Sequence, residues 1–166
     1  MLANYSEEEF NLLIEKEKQR AAYHEVCHVT VITHFGGSAH ARIWPSGSDD
    51  PSIRSWRGQC QIICAPGTVA VSKDMKACFG IESAPKNWKV LVGLAGIAGE
   101  YLMAGIEDPE TIYYEWDSAK MTDEISDTDL KMVGDQHKLC DVAKVVGILK
   151  NRWTEIESEV SFLTSE

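Results

Sequence analysis

The sequence has few positive charges and no long hydrophobic run. Its 16 Lys and Arg residues are outnumbered by 26 Asp and Glu residues, which gives a formal net charge of -10. Because such a surface repels phosphate groups, we expect no nucleic-acid partner. The best apolar stretch, Val90 to Ala98, is far shorter than the ~20 residues that a membrane span needs. We therefore expect no insertion into a membrane.

The sequence also lacks the patterns of a secreted protein. No basic segment leads into an apolar run in the first ten residues, MLANYSEEEF, so no signal peptide is predicted. The cysteines are odd in number and have no CxxC spacing, which argues against a disulfide framework and against a thiolate zinc site. They are Cys27, Cys60, Cys64, Cys78 and Cys140. We expect a cytoplasmic protein with reduced, mostly buried cysteines.

Helical periodicity covers most of the 166 residues, of which 44% are hydrophobic. This length and composition suit a single domain, 1–166, with an ordinary core. Ser6 and the three Glu residues after it predict the start of a helix that continues to Gly36. Further helices are predicted over residues 85–104, from 109 to about 116, and from about 126 to 163. Glycines at every third position of the second helix predict that another helix approaches it closely.

Between the first two helices the pattern changes to that of short strands. Residues 41–44 and 58–64 are strand-like, and the Pro, Gly, Ser and Asp of residues 45–55 separate them. Residues 65–84 are ambiguous. The expected fold class is mainly α (α+β), with a small β-ribbon or sheet.

The chemistry of the sequence is concentrated at residues 24–28, His-Glu-Val-Cys-His. Two histidines four residues apart lie on one face of a helix, about 6 Å apart along its axis, so both rings can reach one metal ion. In this HExxH pattern, His24 and His28 hold a zinc ion (Zn²⁺), and Glu25 is the catalytic base that activates a zinc-bound water. The pattern predicts a zinc-dependent peptidase.

A catalytic zinc needs a third protein ligand, and the residues alone leave several candidates. His34 falls where the metzincin pattern HExxHxxGxxH has its third histidine, but Val31 occupies the glycine position and resists the turn required there. Glu100, inside the apolar second helix, is either the third ligand or a residue that orients a ligand histidine. Three more carboxylates cannot be ranked from composition: Asp117, Asp127 and Asp129.

Four segments, in the same order, resemble the peptidase domain of the FtsH-type ATP-dependent zinc proteases. Residues 22–28, AYHEVCH, resemble that family's AYHEAGH, and residues 41–47, ARIWPSG, its strand ending in Pro-x-Gly. Residues 94–105, LAGIAGEYLMAG, are similar to LAGRAAEELVFG, and residues 126–131, SDTDLK, to a stretch that reads Ser-Asn-Asp-Leu/Ile-x. The resemblance covers about Glu15 to Val146.

This resemblance implies roles that the spacing leaves open. It makes Asp129 the third zinc ligand, and it places Glu100 near the metal as a residue that orients a ligand. It implies a zincin-like helical peptidase domain that cleaves unfolded or flexible polypeptides. The strand beside the zinc, where an extended substrate pairs by β-addition, is implied to contain Gly58, Gln59, Cys60, Gln61 and Ile62.

The chain departs from the family in what surrounds this domain. FtsH-type proteins carry membrane helices and an ATPase module before the peptidase domain, and this sequence has neither. Cys27 and Ile97 stand where the family has Gly and Arg. We therefore expect a separate ATPase or further copies of the chain as partners, since the family's peptidase domains form rings. The alternative is a non-proteolytic, metal-binding interaction module that retains the peptidase fold.

Overall fold

A computed structural model describes residues 4–165 of the chain. Its elements follow in the order α1 (Glu7–His34), β1 (Ser38–Pro45), β2 (Trp56–Cys64), α2 (Lys73–Phe79), α3 (Trp88–Met103), α4 (Pro109–Met121), α5 (Asp127–Val133), α6 (Leu139–Asn151) and α7 (Trp153–Thr164). The predicted mainly α (α+β) class with a small sheet is confirmed.

The longest helix, α1, begins at the predicted cap. The Ser6 hydroxyl accepts a hydrogen bond from the Glu9 backbone N–H, and the Glu9 carboxylate accepts one from the Ser6 N–H. The 28 residues of α1 span about 42 Å. Most of the first half is exposed, whereas residues from Ala21 onward supply its buried face. The helix ends before Gly36, whose φ of 79° lies in the left-handed region.

The core lies between the second half of α1, the whole of α3 and the inner face of α6. Helix α3 is apolar around most of its circumference and is buried accordingly, with Leu91, Val92 and Ala95 almost inaccessible. Trp116 of α4 and Leu149 of α6 close the core from the other side. Among residues 4–165, no helix combines the length and the apolar composition needed to cross a membrane.

Small residues allow α1 and α3 to pack closely. A Cβ atom added to Gly99 of α3 would lie 2.9 Å from the Cys27 Cβ of α1 and 3.3 Å from the Tyr23 carbonyl oxygen. Non-bonded Cβ atoms do not approach that closely, so only glycine fits here at the present helix separation. The predicted close approach of a second helix is confirmed.

Strands β1 and β2 form an antiparallel sheet that packs on α1. Ile43 pairs with Gly58, and Ala41 with Cys60. Both strands begin earlier than the sequence predicts, β1 at Ser38 and β2 at Trp56. Within the described residues β2 pairs with β1 alone, so its other edge is open.

The later helices differ from the prediction in their bounds. Helix α3 begins at Trp88 rather than Pro85, because Pro85 starts a turn in which its carbonyl accepts from the Trp88 N–H. Helix α4 continues past Trp116 to Met121. The last helical region is divided into α5, α6 and α7, with breaks after Val133 and at Arg152. The ambiguous stretch 65–84 contains α2.

The expectation that most cysteines are buried is wrong. All are free thiols, but Cys27 alone is buried, and Cys60 and Cys64 are half-buried. Cys78 and Cys140 are exposed because α2 buries none of its residues and Cys140 lies on the outer face of α6.

His137 is a largely buried histidine in the segment between α5 and α6. Its side chain is only 7% exposed. The ring packs against Tyr113 and Trp116 of α4 and so joins the segment between α5 and α6 to that helix. His40, by contrast, is exposed on β1.

Gly99→Ala is expected to destabilise the protein, since the new methyl group would force α1 and α3 apart. Overpacking of this kind costs about 1–3 kcal/mol. Gly147→Ala in α6 is the matched control, because its added Cβ meets no atom within 4 Å. It should gain up to about 1 kcal/mol from helix propensity. Urea unfolding of both variants measures the difference, and equal stabilities would contradict the close helix contact.

Candidate metal centre

Two histidines of α1 meet one carboxylate of α5. The Nε2 atom of His24 lies 3.1 Å from Oδ2 of Asp129, and Nε2 of His28 lies 3.3 Å from Oδ1 of the same residue. One ligating atom from each of the three residues falls within 4.8 Å of the others. All three side chains are largely removed from solvent. The group could therefore hold a metal ion.

The position of Asp129 depends on two local features. Its backbone N–H donates to the hydroxyl of Ser126, which caps α5 and fixes the first turn. Helix α5 also packs closely on α3, where a Cβ added to Gly93 would lie 2.7 Å from Val133 Cγ2 and 3.2 Å from the Asp129 carbonyl oxygen. The carboxylate thereby reaches a histidine that is 105 positions away in sequence.

The second nitrogen of each ring faces an acceptor. Nδ1 of His24 lies 2.6 Å from Oε1 of Glu100, and Nδ1 of His28 lies 2.7 Å from the Val92 carbonyl oxygen. A carbonyl oxygen and an ionised carboxylate only accept, so both rings carry a proton on Nδ1. In a neutral ring, Nε2 then carries no proton, and its lone pair is directed at Asp129.

Two imidazole lone pairs and a carboxylate at hydrogen-bond distance repel one another unless a cation lies among them. The cation must be either protons or a metal ion. Anchoring of Nδ1 by a carboxylate or a backbone carbonyl is also the usual environment of metal-bound histidines, because it fixes the tautomer and the ring orientation. The donor set therefore fits a metal ion on the Nε2 side of the rings.

The pKa values reflect the same requirement. Burial lowers the pKa of His24, but Asp129 and Glu100 outweigh burial and raise it well above 6.5. Burial likewise lowers the pKa of His28, and the Asp129 carboxylate brings the net value above 6.5. For Asp129, burial raises the pKa, but the two histidines lower it far below 3.8. Without a metal ion, protons on the rings balance the buried carboxylate.

Gly96 of α3 leaves space beside both ligating nitrogens. An added Cβ atom would lie 2.7 Å from Nε2 of His28, and it would meet Nε2 of His24 even more closely. Any side chain at this position would press on the atoms that face Asp129. Gly96 is thus part of the centre although it offers no ligand.

Glu25 lies next to the three ligands and against β2. It is 8% exposed, and burial raises its pKa above the ordinary value of 4.5. A Cβ added to Gly58 would lie 2.7 Å from Oε1 of Glu25, so Gly58 makes room for the carboxylate. Glu25 is not among the ligating residues.

A cleft of about 220 Å³ opens at this point. It is bordered by the three ligands, Glu25, the start of α5 and four of the five predicted strand residues, which are Gly58, Gln59, Cys60 and Ile62. Gln61 does not border it. A wider groove of about 1060 Å³ lies between β1 and α7 and contains none of the ligands.

The other ligand candidates lie away from this centre. His34 faces Glu82, with Nε2 3.5 Å from Oε2, and its Nδ1 accepts from Nε of Arg152 at 3.3 Å. The geometry therefore does not support His34 as the third ligand. Asp117 and Asp127 are exposed.

Cys60 of β2 borders the cleft but is not part of the group that could hold a metal ion. Burial, together with the nearby carboxylates Glu25 and Asp129, raises the pKa of its thiol to about 12.

Three contributors are missing from the sequence-based description of the site: Arg20, Val92 and Gly96. Val92 acts through its backbone carbonyl, which leaves no signal in the side-chain pattern. Gly96 belongs to the glycine series that indicates close packing but not a neighbouring metal centre. Arg20 contacts Glu100 at 3.2 Å. It lies one helical turn before His24, so the spacing places both on one face of α1.

Comparison with known protein families found none that matches the chain, and no curated protein matches it either. The resemblance to FtsH-type peptidase domains accordingly stays a prediction based on four sequence segments. The metal centre is supported by its own geometry.

Asp129→Ala is expected to abolish tight metal binding, since it removes the carboxylate that faces both Nε2 atoms. His34→Ala is the control and should retain about one metal ion per chain. Metal analysis of the purified proteins, followed by competition with a chelator, measures both. Full metal content in Asp129→Ala, or its loss in His34→Ala, would contradict the assignment.

Metal affinity is expected to fall as the pH falls, because the ion must displace protons from His24 and His28. Both pKa values are raised in the folded protein. Protonation of these histidines therefore stabilises the folded, metal-free protein fully below about pH 6.5. This stabilisation is lost as the pH rises through the pKa values of the folded state. Calorimetric titrations in buffers of different ionisation enthalpy measure affinity and proton release together. A pH-independent affinity without proton release would show that the metal ion displaces no protons from His24 and His28.

Proposed function

We propose that the chain is a zinc-dependent endopeptidase of the FtsH-like type that hydrolyses peptide bonds of unfolded or flexible polypeptides. One observation carries the proposal. A buried carboxylate that is not a ligand, that of Glu25, borders the same open cleft as His24, His28 and Asp129. A purely structural metal site has no need of such a group.

The ligand set supports zinc among the common metal ions. Two imidazole nitrogens and one carboxylate oxygen match the three-ligand catalytic zinc site, which keeps a fourth position open. Calcium and magnesium prefer sites made of oxygen atoms. When bound, zinc would act as a Lewis acid that lowers the pKa of a water molecule toward neutrality.

Glu25 is the general base in this proposal. Its carboxylate takes a proton from the attacking water and delivers it to the nitrogen of the leaving group. Burial raises the pKa of Glu25, which makes it a stronger base than an exposed glutamate. The backbone at Gly58 packs against the carboxylate and restricts its position.

An extended polypeptide is the substrate that the cleft supports best. Strand β2 borders the cleft, and one of its edges has no partner strand among residues 4–165. Main-chain groups of Gly58–Ile62 can pair with an extended segment by β-addition. Such pairing recognises the substrate backbone, so it suits unfolded segments of varied sequence and excludes folded domains.

Glu25→Gln is expected to lower cleavage of an unfolded polypeptide by about 10²–10⁴-fold, since the amide cannot accept the proton. Zinc content should stay unchanged because Glu25 is not a ligand. The measurement is the release of labelled peptides from a reduced, unfolded protein, with zinc determined on the same samples.

The matched control is Glu15→Gln, the same change at an exposed position of α1. It should cleave like the wild type. Equal activity of the wild type and Glu25→Gln would contradict the proposal, as would a zinc-loaded wild type that cleaves nothing. In the second case the chain would be a metal-binding interaction module.

A further inference from the structure

Arg20 joins three elements that meet at the metal centre. It lies on α1 and donates from Nη1 to Oε1 of Glu100 on α3 at 3.2 Å. Its Nε and one Nη2 hydrogen form a two-pronged contact with the carboxylate of Glu17, at 3.1 Å each. Nη2 also donates to the Trp56 carbonyl oxygen at the start of β2, at 3.4 Å. Only a planar, multiply donating group can satisfy all of these acceptors together.

The contact with Glu100 bears directly on a metal ligand. The oxygen that accepts from Arg20, Oε1, is the same atom that faces Nδ1 of His24 at 2.6 Å. Arg20 therefore fixes the rotation of the Glu100 carboxylate, and that carboxylate fixes the plane of the His24 ring. The side chains of Arg20 and Glu100 are 27% and 20% exposed, so water reaches this contact only in part.

The contact with Trp56 bears on the wall of the cleft. Trp56 is the first residue of β2, and Gly58, two positions later, packs against Glu25. The ring of Trp56 is held from the same helix by the ammonium group of Lys18, 5.0 Å from its centroid. The beginning of β2 is thus held against α1 beside the general base.

We propose that Arg20 is a positioning residue of the metal centre, one that sets the orientation of His24 through Glu100 and holds β2 against α1. This inference rests on the proposed metal site. Outer contacts of this kind typically change metal affinity by about 10- to 100-fold when removed. Arg20 itself is not a ligand and does not face the ligating Nε2 atoms.

The test compares Arg20→Met and Arg20→Lys with the wild type. Methionine keeps much of the stem but no donor, whereas lysine keeps the charge without the planar fork. Arg57→Met and Arg57→Lys are matched controls on the exposed face of β2. Zinc affinity is measured by chelator competition on the folded protein, and the visible spectrum of the cobalt(II) form reports the ligand geometry.

Arg20→Met is expected to bind zinc about 10- to 100-fold more weakly, with altered cobalt bands, and Arg20→Lys several-fold more weakly. The direction of the change is informative. Removing a cation from a chain of net charge -10 would by long-range attraction strengthen the binding of Zn²⁺. Arg57→Met should show that small gain or no change. A weakened affinity at Arg20 therefore reports geometry and not overall charge.

Several outcomes would overturn the inference. Wild-type zinc affinity and cobalt spectrum in both Arg20 variants, with only a lower unfolding midpoint, would reduce Arg20 to a structural role. Wild-type behaviour of Arg20→Lys alone would show that one donor to Glu100 is sufficient and that the planar fork, with its contact to β2, is not required. An equal loss of zinc affinity in Arg57→Met would show that the effect is not specific to Arg20. A wild type that binds no zinc contradicts the proposed function instead, so the two failures are distinguishable.

Discussion

The local structure depends on one electrostatic constraint, the convergence of three acceptors. Nε2 of His24 and Nε2 of His28 face separate oxygens of Asp129, and the Nδ1 atoms are committed to acceptors on the other side. Burying two neutral imidazole rings against an ionised carboxylate is unfavourable without a cation. The arrangement becomes favourable once a cation lies among the three groups. The fold therefore creates a demand for positive charge at a defined point. Protons and a metal ion compete to meet that demand.

The helices have to approach closely for these acceptors to converge. Histidines on α1 and a carboxylate on α5 meet directly beside α3, which contacts both helices. Glycines line that contact, with Gly99 against α1, Gly93 against α5 and Gly96 beside the ligating nitrogens. Each glycine costs about 1 kcal/mol of helix propensity relative to alanine. The burial of the surrounding apolar core offsets that cost, so packing specifies the geometry of the centre.

The sequence predicts those parts of this centre that depend on local spacing. A separation of four residues places His24 and His28 on one face, and the Ser6 cap and Gly36 define their helix. Asp129 lies 105 positions from His24, so periodicity could not select it from Glu100, His34 and the other carboxylates. The carbonyl of Val92 has no side-chain signal at all. The predicted start of α3 is wrong because Pro85 begins a turn there instead. The prediction that most cysteines are buried is wrong because burial depends on tertiary contacts.

Under the proposed function, Glu25 distinguishes a site that only binds a cation from one that also uses it. A cation among the three ligands satisfies their electrostatic demand, and a second buried carboxylate beside them adds negative charge that the ligands do not require. Burial makes that carboxylate costly, as its raised pKa indicates. Such a cost is retained most readily where the group performs chemistry. Glu25 borders an open cleft, and β2 beside it has an edge without a partner strand among residues 4–165. The buried charge therefore lies where, in the proposed function, a polypeptide backbone would meet it.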